Sequence, residues 1–61
     1  MTFNTYKEAE KEALSLLEGK KKHPGLKNRE YCIFFTYGEY RVEARHRLTS
    51  YQEEHIIKSF R

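Results

Sequence analysis

Glu30-Tyr31-Cys32-Ile33-Phe34-Phe35-Thr36-Tyr37-Gly38-Glu39-Tyr40-Arg41-Val42-Glu43-Ala44-Arg45-His46-Arg47-Leu48 decides how this chain is read. It reads as one antiparallel β-hairpin over residues 30–48. A glycine at the first central position suits a two-residue turn on Gly38-Glu39, because glycine takes positive φ without a Cβ clash. That turn sets Tyr37 opposite Tyr40, Phe35 opposite Val42, Ile33 opposite Ala44 and Tyr31 opposite His46. Side chains alternate along a strand, so these eight share one face. The other face then carries Thr36 opposite Arg41, Phe34 opposite Glu43, Cys32 opposite Arg45 and Glu30 opposite Arg47. One face is mainly apolar, and the other is a set of arginines around Phe34. A one-residue slip would mix the two, so the clean sorting supports the register.

Outward from the hairpin, Thr5 and Glu8 fit a capping box. Tyr6, Ala9, Ala13, Leu14, Leu16 and Leu17 follow at helical spacing, which predicts a helix over residues 5–18 with Gly19 ending it. Residues 19–29 form a basic connection with a Pro24-Gly25 turn signal. Beyond the hairpin, Ser50 with Glu53 makes a second capping box, with Thr49 as a rival cap. Ile56, Ile57 and Phe60 share one helical face, so a second helix is expected over residues 50–60. Tyr51 falls nearly opposite that face and outside the core. The predicted fold is α+β with the order α-β-β-α. Two helices pack on the apolar face of the hairpin, and the arginine face is left open.

Sixty-one residues make a single small domain, residues 1–61, with a thin margin of stability. One cysteine allows no intrachain disulfide. The histidines and the cysteine show no zinc-ligand spacing, and no metal or other cofactor is expected. A partner subunit is therefore the expected source of added stability, and a homodimer extending the sheet would also cover the hairpin's open edges. No apolar run approaches a membrane span and no export signal is visible, so a cytoplasmic protein is expected.

Charge divides the chain unevenly. Residues 1–18 carry −2, residues 19–29 carry +5, and the remainder balances to zero, which accounts for the formal +3. The excess is thus one basic segment: Lys20, Lys21, Lys22, Lys27 and Arg29. It enters the hairpin at Arg29, beside the predicted position of Arg47. Arginines offer forked donors to phosphate, and an exposed ring offers a stacking surface to a base. Arg41, Arg45, Arg47 and Phe34 with the basic segment therefore make a candidate nucleic-acid surface on a non-enzymatic DNA- or RNA-binding module. Two other readings stand beside it. The Phe34 face is also a candidate protein interface, as in a small inhibitor or accessory subunit, because Glu30, Glu39 and Glu43 lie among the arginines and repel phosphate. His46 is a remote candidate for acid–base chemistry in RNA cleavage. The plain alternative is a solvated face with cross-strand ion pairs.

Overall fold

A computed structural model describes residues 2–61. The elements are β1 (Thr2–Phe3), α1 (Tyr6–Lys21), β2 (Tyr31–Thr36), β3 (Glu39–Ala44), α2 (Ser50–Glu53) and β4 (Ile56–Phe60), with 3-10 turns at Pro24–Leu26 and Arg45–Arg47. The fold is α+β: a four-stranded antiparallel sheet in the order β1-β3-β2-β4 with two helices. The observed order is β-α-β-β-α-β, so the expected α-β-β-α lacked two strands. No helix among the described residues is long and apolar enough to cross a membrane.

Thr5 caps α1, its hydroxyl oxygen accepting from the Glu8 amide at 3.2 Å. The Glu8 carboxylate accepts from that hydroxyl at 3.0 Å, in place of the expected bond to the Thr5 amide. Ala9 and Ala13 are fully buried and pack with Ile33 and Val42 of the sheet. Tyr6 and Leu16 extend this stripe, and Phe3, Tyr40 and Phe60 close around it. Two alanines at the contact let the helix lie close to the strands. Leu14 falls off the stripe and is exposed. The helix also outruns its expected end. Gly19 sits inside it, and Lys22 is the C-cap. Lysine is a good helix former, Lys21 pairs with Glu18 one turn back at 3.1 Å, and Lys20 Nζ donates to the Arg29 carbonyl at 2.8 Å.

The hairpin forms, but its turn is Tyr37-Gly38. Both residues have positive φ, 52° and 75°, as a two-residue type I′ turn requires. Tyr31 therefore faces Ala44, Ile33 faces Val42, Phe35 faces Tyr40, Phe34 faces Arg41 and Cys32 faces Glu43. The expected register is corrected by two residues. A two-residue slip keeps every side chain on its face, so the apolar pattern alone does not detect it. The strand also ends at Ala44. The 3-10 turn begins there, with the Arg45 amide donating to the Glu30 carbonyl at 2.8 Å. Arg45, His46 and Arg47 thus lie outside the ladder, and His46 does not face Tyr31.

The expected C-terminal helix is a single turn followed by a strand. Thr49, not Ser50, is the cap: its hydroxyl accepts from the Gln52 amide at 3.3 Å, and the Gln52 side chain accepts from the Thr49 amide at 3.0 Å. After Glu54 the β-branched pair Ile56-Ile57 and the aromatic Phe60 favour extended backbone. β4 pairs antiparallel with β2, with a bulge between the partners of Ile33 and Phe34. Topology then dictates the second layer. β3 and β4 flank β2 and are both antiparallel to it, so they run the same way, and the chain between them must cross a face of the sheet. α1 already covers the face of Ile33 and Val42. The connection through α2 therefore crosses the other face, against β2, and buries Cys32, Phe34 and Thr36. The two helices lie on opposite faces, not on one. Phe34, expected in the open, is 1% exposed.

Two outcomes follow in thermal and urea unfolding. Tyr37 holds a left-handed conformation that costs a non-glycine residue about 1 kcal/mol, so Tyr37→Asn should raise stability by about 0.5 kcal/mol or more. A lower Tm would show that the ring's contacts outweigh the strain. Phe34→Ala should cost about 3–5 kcal/mol, the range for truncating a buried Phe. A cost under about 0.5 kcal/mol would put Phe34 back on an open face.

Candidate nucleic-acid interface

The proposed arginine face does not exist as one surface. Phe34 belongs to the core. Arg41 stands opposite it in the sheet, ion-paired to Glu39 at 3.6 Å, with its Nε buried and without a partner among the described residues. Arg45 reaches two carboxylates, Glu30 at 3.3 Å and Glu53 at 3.6 Å. Arg47 is exposed on the 3-10 turn.

The basic residues nevertheless come together elsewhere. The C-terminal end of α1, the start of β2 and the ends of β3 and β4 all lie at one end of the sheet, opposite the hairpin turn. Lys20, Lys21, Pro24 and Lys27 line one recess there. Lys20 and Lys21 also line a second recess, with Leu14, Leu17, Glu18 and Arg61. Asn28, Arg29, Glu30, Arg45, His46, Leu48 and Glu53 line a third, and the Lys20–Arg29 hydrogen bond joins it to the others. With Lys22 and Arg47, this pole holds eight of the chain's twelve Lys and Arg residues but only three of its nine glutamates. The rest of the molecule is therefore net negative.

Three of these cations are already engaged. Lys21 is paired with Glu18, Arg45 with Glu30 and Glu53, and Lys20 with a backbone carbonyl. Exposed ion pairs of this kind are worth about 0–1 kcal/mol, so a phosphate can compete for them. Lys22, Lys27, Arg29, Arg47 and Arg61 have no carboxylate partner among the described residues. Arg61 was absent from the sequence-derived surface. A helical C-terminus gave no reason to place it there, whereas in β4 it follows Phe60, the partner of Tyr31. The β-branched pair Ile56-Ile57 was the available signal.

The other candidates resolve simply. His46 is exposed on the rim of the third recess, near Arg29, Arg45 and two carboxylates. Cys32 is fully buried, with its Sγ 3.6 Å from Ser59 Oγ. Burial pushes its thiol pKa up, against a smaller downward pull from that hydrogen bond. A buried thiol of this kind is a poor nucleophile. Among the described residues no group of three His, Cys, Asp or Glu side chains is placed to hold a metal ion.

Comparison with protein-family models, with curated proteins and with solved structures finds no match for this chain.

Proposed function

We propose that the protein is a non-enzymatic nucleic-acid-binding module that holds the phosphate backbone of DNA or RNA at its basic pole. The observation that carries this reading is the gathering of Lys20, Lys21, Lys22, Lys27, Arg29, Arg45, Arg47 and Arg61 at one end of the fold, where the sequence had spread them over three segments. Among the described residues, the pole holds cations without an exposed Phe or Tyr ring. Its chemistry suits charge-dominated, sequence-tolerant binding, since phosphate contacts position a protein but do not specify a sequence. Arg41 and Phe34 drop out of the surface. The competing protein-interface reading loses its anchor with Phe34. In the cytoplasm, the compartment expected from the sequence, the lone Cys32 thiol stays reduced.

β1 and β4 occupy the edges that a dimer of bare hairpins would have used. A homodimer that extends the sheet would therefore be built on the outer edge of β4. A second functional reading rests on His46, which shares its recess with two arginines and two glutamates. A histidine able to move a proton beside cations able to hold a phosphate is the minimum for RNA cleavage.

Fluorescence anisotropy with labelled single- and double-stranded DNA and RNA tests the main reading. Affinity should fall steeply with salt; five phosphate contacts on duplex DNA would give a log–log slope near −4.5. Replacing Lys22, Lys27 and Arg47 together by Ala should flatten that slope by about 3 units, while Arg41→Ala should leave it unchanged. Absent binding at low salt, or an unchanged slope in the triple variant, would overturn the reading. Oligonucleotides should be recovered intact; RNA cleavage that disappears in His46→Ala would establish the second reading instead.

A further inference from the structure

At the hairpin turn, opposite the basic pole, the chain exposes rings that the core does not use. Tyr37 is 83% exposed and Tyr51 48%. The centroids of Tyr37 and Tyr51 lie 6.0 Å apart with their planes tilted by 35°. The His55 ring lies 4.5 Å from Tyr51, and its Nδ1 is 2.8 Å from the Tyr51 carbonyl. The Phe35 amide donates to the His55 carbonyl at 3.3 Å, so the end of α2 is tied to the end of the hairpin. Rings from two elements thus meet in one patch.

Stability does not account for Tyr37. Its φ of 52° is strained for any residue with a large side chain, and asparagine or glycine would serve the turn better. Its ring buries little in return. Strain kept at an exposed aromatic residue points to use of the ring. The surrounding charge indicates the ligand. Glu39 follows the turn, and Glu54 caps the end of the helix that carries Tyr51. The nearest arginine in the hairpin, Arg41, is already paired to Glu39, and Glu54 has no cation partner among the described residues. Carboxylates beside aromatic faces repel phosphate and attract cations, because a ring presents a negative face. Guanidinium suits such a surface better than ammonium, since it is planar and stacks.

We propose that the hairpin apex, centred on Tyr37 and Tyr51, docks an arginine-bearing segment of a partner polypeptide. An extended segment lies across the two rings, with guanidinium groups stacked on them and paired to Glu39 or Glu54. The site is separate from the basic pole, so one molecule can hold a nucleic acid at one end and a basic protein segment at the other.

The test uses fluorescein-labelled octaarginine, octalysine and octaglutamate in anisotropy titrations of the full chain. Octaarginine should bind at least about fivefold more tightly than octalysine. Tyr37→Asn, which suits the turn and so keeps the fold, should weaken octaarginine at least about threefold. Tyr37→Asn with Tyr51→Ser should weaken it about tenfold or more, with the circular dichroism spectrum unchanged. Octaglutamate, drawn to the basic pole, should respond to neither change. No octaarginine binding, or binding equal to octalysine and indifferent to both substitutions, would overturn the proposal. Sedimentation showing self-association that requires Tyr37 would also overturn it, by assigning the apex to the basic pole of a second copy.

Discussion

The backbone of β2 is hydrogen-bonded on both sides, to β3 and to β4, and its side chains are covered on both faces. Tyr31, Cys32, Ile33 and Phe34 are buried in succession, so the strand has no solvent side along its first four residues. Each other element answers to that condition. α1 supplies the cover for Ile33 by presenting Ala9 and Ala13. The crossing connection through α2 supplies the cover for Cys32 and Phe34. β4 supplies the partner for the outer edge, and the bulge at Phe34 accommodates its fit to a twisted strand. In a chain of 61 residues there is little else to form a core, so loss of β2 burial is loss of the fold.

Some local signals in the sequence match the structure, while the stop at Gly19 and the helix over residues 50–60 do not. Thr5 capping α1, the apolar stripe through Ala9 and Ala13, and the hairpin itself all followed from spacing and turn chemistry. What escaped was set by relations between elements. The face pattern of the hairpin is invariant to a two-residue slip, so the turn had to be chosen on chemistry, and a tyrosine at positive φ is not the obvious choice. The run Tyr31-Cys32-Ile33-Phe34-Phe35 fits an alternating, half-buried strand, but five consecutive apolar residues are also the pattern of a strand buried on both faces. Given that second reading, a cover for Phe34 and a further strand would have been required. Ile56, Ile57 and Phe60 fall on one helical face, which masked the β-branched pair that begins β4.

The same geometry sorts the chemistry. Four chain segments end or begin at the pole opposite the hairpin turn, and each brings its own cations. Their meeting is a product of topology that no run of sequence displays, which is why Arg61 was missed. Seven of the cations grouped from the sequence, Lys20, Lys21, Lys22, Lys27, Arg29, Arg45 and Arg47, lie at this pole, and Arg41 does not. Phe34 went to the core, and the exposed rings Tyr37 and Tyr51 gathered at the other end, next to carboxylates. Most of the cations and the exposed Tyr37–Tyr51 pair therefore lie at separate ends of the protein. A single surface that stacks bases and holds phosphates together is replaced by two surfaces of opposite character.

Chemical-shift mapping tests that separation most directly. A uniformly 15N-labelled chain would be titrated at low salt with a short oligothymidylate, and its backbone amides followed residue by residue. The account predicts shifts confined to residues 20–29, 45–47 and 61, with Tyr37, Tyr51 and Ile57 unmoved. Shifts centred on the tyrosines, or none at the basic pole, would contradict it.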